Sequence, residues 1–481
     1  MTNHDDFRGL DAIAQAELVR TGRATPLELV DAAIERIARV NPTLNAIIHP
    51  RFEQARAEAQ GILPNGPLRG VPIVVKDLDG STTNDPRHLG NRRLKELGVT
   101  VDHDSELVAR LRRAGCIVVG KTNTPEFGLV PTTEPIAYGA THNPWDLDRS
   151  PGGSSGGSAA AIASGMVPLA HGGDGGGSLR IPASACGIFG LKPTRGRVTL
   201  GPDDGEVWGG YVVRGVMSRT VRDSALALDV IAGPGVGDPY WAPEPQDAYS
   251  RSSLAAPAPL RIGYRTTVGG GLADVDPACV AAVEDAAALC ESLGHEVLEA
   301  SPAALDDPAL VGAFITVLSV WTARECDHLA ALLGRDVRAD DVEPITWFYA
   351  ELGRMTTATA YVEALCALQA WTRDMASWWA DDFDLLLTPT MAEPPARLGD
   401  MVADPADPGP AIARTIPFAA FTAPFNVTGQ PAMSVPLFVS NGLPIGTQFA
   451  AAAGREDVLL ALATQLEHER PWADRTPPVF A

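Results

Sequence analysis

Residues 150–197 read SPGGSSGGSAAAIASGMVPLAHGGDGGGSLRIPASACGIFGLKPTRGR, and this stretch decides what the chain can be. Two glycine–serine clusters, Gly152–Ser158 and Gly172–Ser178, enclose a run of small residues and a short strand signal, Val167–His171. Glycine at this density costs folding entropy, so it marks tight turns or backbone that must approach a ligand closely. A flexible Gly/Ser linker fits poorly, because helix, strand and proline signals interrupt the glycines.

Three chemistries could use such a segment. A phosphate-binding loop needs G-x-x-x-x-G-K-[ST], which is absent, and Pro182 interrupts the helix that a dinucleotide fingerprint around Gly173-Asp174-Gly175 would require. Gly152-Gly153-Ser154-Ser155-Gly156 formally matches the G-x-S-x-G nucleophile elbow, but that elbow follows a buried strand. Here Asn143-Pro144-Trp145-Asp146-Leu147-Asp148-Arg149-Ser150 precedes it and reads as loop. His171, the nearest histidine, reads as a hydrogen-bonded structural residue at a strand end. The third chemistry pairs a serine with a lysine whose amine burial keeps neutral. Lys76 ends the apolar run Val71-Pro72-Ile73-Val74-Val75 and is the candidate base. The plainer reading of the same residue is a strand-end lysine reaching solvent.

Further blocks add to the two clusters. Gly70–Asp77 reads GVPIVVKD, Gly120–Glu126 reads GKTNTPE, and Cys186–Thr194 reads CGIFGLKPT. Asn143-Pro144-Trp145 joins them, and Pro424-Phe425-Asn426, Gly429-Gln430-Pro431-Ala432 and Gly442–Gln448 follow near the C-terminus. In this order the blocks resemble the amidase signature family over nearly the whole chain, least so in the middle. Within that family the wording is closest to amidases acting on nylon-type cyclic oligoamides, on aryl amides and on carbamates (urethanes).

The resemblance implies a single α/β/α unit, a large mixed twisted sheet covered by helices on both faces. It implies Ser178 as nucleophile, Ser154 as bridging serine after a cis Gly153–Ser154 peptide, and Lys76 as base. The two serines stand 24 residues apart, which agrees with the family pattern. Backbone N–H groups of Gly175, Gly176, Gly177 and Ser178 are expected to form the oxyanion hole. Asp174 and Arg180 are expected to brace the loop and neutralise each other, and Ser155 to brace Lys76 or the loop. Gly173 stands where the family usually has Thr or Ser, and Gly175 replaces a bulkier residue, so a wider or looser wall is expected there. Substrate contacts are expected from Gly128, Leu129 and Val130, within a wall Gly128–Thr132, and from the region of Phe314–Trp321 and Trp347.

Outward from this core the chain divides into N-terminal helices (1–65), the core with the catalytic residues (66–233), a variable and mainly helical pocket region with a βαβ part (234–380), and the C-terminal part of the same core (381–481). Thr25-Pro26-Leu27-Glu28 reads as a capping box opening a helix that Asn41-Pro42 stops. Strands are expected at Cys116–Val119, Arg261–Tyr264, Glu296–Leu298, Asp384–Thr388 and Ala432–Phe438, and helices at Ser105–Arg113 and Pro277–Leu293. Strands alternating with helices argue for a helix-covered sheet.

Composition narrows the function classes. With 38 basic against 59 acidic residues the net charge is −21, which argues against nucleic-acid and anionic-membrane partners. The opening MTNHDDFRGL shows no leader pattern, and six scattered cysteines without a C-x-x-C pair argue against a disulfide scaffold or zinc ribbon. The expectation is a cytoplasmic amidase or urethanase cleaving C–N bonds of a small amide or carbamate through an acyl-enzyme on Ser178. No metal and no cofactor are expected, and a homodimer is left open. The alternative from another class is a glutamine-amide transfer subunit of a tRNA-dependent amidotransferase.

Overall fold

A computed structural model describes residues 7–307, 309–380 and 383–481. The opening residues 1–6, part of the stretch read for a leader, lie outside them. Eleven strands form one sheet: β1 Ile47–Pro50, β2 Pro72–Lys76, β3 Ile117–Thr122, β4 Leu169–Asp174, β5 Phe189–Lys192, β6 Val213–Ser218, β7 Arg261–Tyr264, β8 Glu296–Glu299, β9 Leu385–Pro389, β10 Ala432–Ser440 and β11 Leu443–Ala451. Their order is β1-β3-β2-β4-β6-β5-β10-β11-β9-β7-β8. β2 runs parallel to both β3 and β4, β7 runs parallel to β8 and β9, and the remaining pairs are antiparallel. The sheet is therefore mixed.

Alternation along the central strands shows why both faces are covered. Ile73, Val75 and Val118 join a core that includes Leu107 and Leu111, Leu228, Val283 and Leu459 from helices on one face. Their neighbours Val74, Ile117 and Val119 join a second core with Val30, Ile34 and Ile37 and the alanine-rich run Ala159–Ala163 on the other. Successive side chains of a strand point to opposite faces, so a run such as Pro72–Lys76, buried throughout, must have a layer on each side.

Several boundaries differ from the sequence reading. The capping box at Thr25 and Glu28 forms, but the helix runs Pro26–Leu44 with Pro42 inside it. Pro42 lies in the last turn, where a single lost N–H bond is tolerated. The exit is fixed instead by Asn45 in the left-handed region and by Asn41, whose Oδ1 accepts from Ala46 N at 2.9 Å and Ile47 N at 2.8 Å. β3 and β4 extend three residues beyond their expected ends, to Thr122 and Asp174.

The sheet's site edge is set by register. Ile73 pairs with Leu169 and Val74 with Ala170, so the C-terminal ends of parallel β2 and β4 emerge side by side. Two helices of the 234–380 region, Ala309–Leu333 and Pro344–Met355, line the cavities at that edge, and a third, Ala358–Ser377, packs on the first of them. The first is, among the described residues, the one helix long and apolar enough by length and composition to cross a membrane. Here it packs into the protein, with Leu318 clustering with Ile345 and Tyr349 against Leu129, Val130 and Trp208.

The first two of these helices touch at Gly353, where a Cβ would come within 2.1 Å of the Ser319 carbonyl oxygen. Only glycine permits that approach. Gly353→Ala is expected to force the pair apart and destabilise the protein by about 1–3 kcal/mol, the usual cost of overpacking. A thermal unfolding midpoint equal to wild type would contradict this packing.

Candidate active site

β2 delivers Lys76 to the sheet edge with 1% of its surface exposed. Its Nζ donates to Ser154 Oγ at 2.8 Å. Burial lowers the Lys76 pKa from the ordinary lysine value, and the carboxylates of Asp79 and Asp174 oppose that fall. Ser154 is buried, and the Gly153–Ser154 peptide is cis. Ser178 lies on the turn after β4, half-buried, where two cavities meet; Gly128, Ser178 and Trp208 line both.

The turn after β4 is organised by one carboxylate. Asp174 Oδ1 accepts from Gly177 N at 2.8 Å and from Asn426 Nδ2 at 2.8 Å, and Oδ2 accepts from Leu179 N at 3.1 Å. Arg180 grips both oxygens, Nε to Oδ2 at 3.0 Å and Nη2 to Oδ1 at 2.9 Å. Its remaining donors reach Thr422 O at 2.9 Å, Gln448 Oε1 at 2.7 Å and Asn426 Oδ1 at 2.7 Å. Burial works against ionising Asp174, but Arg180 outweighs it and holds the carboxyl down to about 2. The pair is thus charged, dry and fully hydrogen-bonded. Thr422 Oγ1 donates to Gly176 O at 2.6 Å and ties the C-terminal blocks to the same turn.

This geometry corrects two expectations. The Gly177 N–H is committed to Asp174, so the donors left for an oxyanion are those of Gly175, Gly176 and Ser178. Neither Gly173 nor Gly175 leaves a hole. A Cβ on Gly173 would fall 1.8 Å from Asp79 Oδ2, and one on Gly175 would meet the Trp208 ring at 2.9 Å and Val212 at 3.0 Å. The missing side chains are replaced by neighbours from elsewhere in the chain. Ser155 Oγ donates to Gly173 O at 3.2 Å, which places it on the loop and not on Lys76.

The two cavities differ in character. The first, about 230 Å³, is mostly apolar and is walled by Leu129, Val130, Ile181, Phe314, Leu318, Tyr349 and Phe425, with Gly128 and Gly176 also lining it. The second, about 430 Å³, contains Lys76, Asp79 and Ser154 and is walled partly by Arg87, Asp203, Asp204, Arg214 and Glu325. Gly128, Leu129, Val130 and Phe314 are where the sequence puts them. Trp321 and Trp347 are not; the Trp321 indole donates to Tyr361 Oη at 3.0 Å, and Trp347 packs beside Phe127 and Leu94. Trp208, Asp79, Thr422, Asn426 and Gln448 belong to the site and were given no role from sequence. For the last two the available signal was an amide side chain inside an otherwise apolar C-terminal block.

His171 cannot serve the serines. It sits within β4 and is fully buried; both ring nitrogens lack hydrogen-bond partners, which differs from the expected bonded histidine. Burial lowers its pKa to about 4. Among the described residues, His49, Asp77 and His88 form one group with potential metal-ligand atoms within 4.8 Å of one another. Asp77 already pairs with Lys121 Nζ at 2.6 Å, and the Tyr138 hydroxyl contacts both imidazoles. A cation there would face the Lys121 ammonium, so a hydrogen-bonded network accounts for the group.

Removing one partner from a buried ion pair leaves an uncompensated charge, at a cost of about 3–5 kcal/mol. Arg180→Ala is therefore expected to lower stability by that amount in denaturant or thermal unfolding. A loss below 1 kcal/mol would show that the turn does not depend on the pair.

Known proteins resemble this chain over nearly its whole length. The family model described as "Amidase" matches residues 28–460. The 6-aminohexanoate-cyclic-dimer hydrolase of Paenarthrobacter ureafaciens is 43% identical over 478 residues, covering 98% of this chain and 97% of that protein. An acylamidase of Rhodococcus erythropolis is 33% identical over 479 residues, covering 97% of each. The solved structure of a 6-aminohexanoate cyclic dimer hydrolase complexed with substrate superposes with a TM-score of 0.94 at 42% identity, covering 98% of this chain and 99% of that one. The chain belongs to the amidase signature family, hydrolases of carbon–nitrogen bonds other than peptide bonds.

Proposed function

We propose that this amidase hydrolyses neutral, largely apolar amides of the cyclic-oligoamide and aryl-amide kind, and carbamates beside them, through an acyl-enzyme on Ser178. The observation that carries the reading is the buried Lys76–Ser154 contact at 2.8 Å beside the cavity that holds Ser178. A neutral Lys76 amine accepts the Ser154 proton as Ser154 takes the one from Ser178, and Ser178 Oγ attacks the carbonyl carbon. The oxyanion is met by the N–H groups of Gly175, Gly176 and Ser178, each worth roughly 3–4 kcal/mol. The C–N bond then breaks, its electron pair staying on nitrogen, and the lysine proton returns through Ser154 to that nitrogen. Water enters by the same relay and releases the acid.

The walls set the substrate. Leu129, Val130, Phe314 and Leu318 offer the acyl part apolar surface, and the two charged residues of this cavity are engaged, Arg265 with Asp306 and Asp307 with the Ala309 N–H. Such a wall suits a lactam-like ring or an alkyl or aryl acyl chain and disfavours glutamine. The hole recognises only the carbonyl, so an alkoxy oxygen on the acyl side, as in a carbamate, meets no side chain at Gly176. Relatives named for a cyclic amide dimer and for acylamides support the same class.

The expected pH dependence follows from Lys76. Only its neutral form is a base, and burial lowers its pKa, so acylation should rise with pH and level off below the ordinary lysine range. An anilide assayed across pH should show this limb, Lys76→Ala should abolish it with a loss of several orders of magnitude, and the anilide should exceed glutamine at least tenfold in kcat/KM. Retention of the limb in Lys76→Ala, or a tenfold preference for glutamine, would contradict the proposal.

A further inference from the structure

One charged side chain in the second cavity has no task in the relay. Asp79 follows Lys76 by three residues and lines the same cavity as Lys76, Ser154 and Ser178. Its carboxylate lies against Gly173, with Oδ2 only 1.8 Å from where a Cβ would stand, so the absence of a side chain at Gly173 is what admits it. Oδ1 is buried without a hydrogen-bond partner. The closest approach of the His171 ring, Nε2, is 3.9 Å, beyond hydrogen-bond reach.

The other acids on this wall are occupied. Asp203 pairs with His103 Nε2 at 2.8 Å, Asp204 lies 3.7 Å from Arg214 Nη2, and Glu325 takes Arg324 Nη1 at 2.9 Å. Burial disfavours the charged form of Asp79, but Lys76, His171 and Arg214 together keep its pKa below the usual value, so it stands as a carboxylate. A buried carboxylate oxygen without a donor carries an unmet desolvation cost. Asp79 as a whole is only half-buried, and its other oxygen, Oδ2, is the one that can take an N–H donor from something that enters the cavity.

The relay says which part of the substrate enters. The proton for the leaving group comes through Ser154, which together with Lys76 lines the second cavity, whereas neither lines the apolar one. The leaving nitrogen must therefore depart on the Asp79 side.

We infer that Asp79 is a specificity-determining residue that accepts a hydrogen bond from the N–H of the leaving group, selecting C–N over C–O scissile bonds. The inference rests on the proposed relay. As the C–N bond breaks, the nitrogen keeps its own hydrogen and receives a second from Lys76 through Ser154. One of these N–H bonds points to the Asp79 carboxylate, and the departing amine leaves with a partner. An ester places an alkoxy oxygen at that position, which has no hydrogen to donate and faces a negative charge.

The test compares an anilide with the aryl ester of the same acyl group, in wild type, Asp79→Asn and Gly173→Ala. Asp79→Asn removes the charge at constant shape. Gly173→Ala keeps Asp79 but occupies the space its carboxylate uses, and it carries the test if the first variant fails to fold. The ratio of kcat/KM for amide to that for ester is expected to fall at least fivefold in each folded variant. A smaller change in either one, or equal losses on both substrates, would overturn the inference while leaving the relay standing. Wild type that hydrolyses neither substrate would overturn the relay itself.

Discussion

A lysine amine that is to take a proton near neutral pH must be kept from water, and the rest of this fold can be read as the means of doing so. Lys76 is the last residue of a strand buried on both faces, between two cores that the alternation of Ile73, Val74 and Val75 separates. Solvation is what normally makes a lysine charged, so taking it away favours the neutral amine. In the proposed mechanism the hydrogen bond with Ser154 turns that amine from a buried liability into a relay.

A neutral base is of use only if the nucleophile and the oxyanion donors are held still. That task falls to the Asp174–Arg180 pair. A dry ion pair is a poor source of net stability, because desolvation offsets most of the Coulomb attraction. Its value here is geometric, since Asp174 fixes the N–H groups of Gly177 and Leu179 on either side of Ser178. Arg180 extends the hold to Thr422, Asn426 and Gln448, so residues more than 240 positions away in sequence brace the same turn. This is why the C-terminal part of the chain shares one unit with the signature segment.

The strand bearing Lys76, the two serine loops and the alternation of strands and helices were legible in the sequence, because each leaves a local mark. An apolar run ends in a lone lysine, and glycine clusters where backbone must turn or approach. Other features had no such mark. β1 and β5 are four residues each and carry His, Pro or Gly, so neither shows a strand period. The β10–β11 hairpin did offer a signal, Asn441-Gly442 with φ of 50° and 78°, the dipeptide suited to a primed turn. Gly173 and Gly175 were legible as absences of side chain but not as what fills them, since Asp79 and Trp208 arrive through tertiary contact. For the same reason the excluded Gly177 donor could not be read. Only the fold shows that Asp174 has already taken its N–H.

Everything in the proposed mechanism turns on Ser178, not Ser154, forming the acyl-enzyme while Ser154 and Lys76 move its proton. The most direct measurement is trapping with a fluorophosphonate followed by peptide mapping by mass spectrometry, in wild type and in Ser178→Ala. One stoichiometric adduct is expected, on Ser178, with neither adduct nor turnover in the variant. An adduct on Ser154, or turnover retained above about one percent in Ser178→Ala, a loss of less than about 2.7 kcal/mol of transition-state stabilisation, would contradict it.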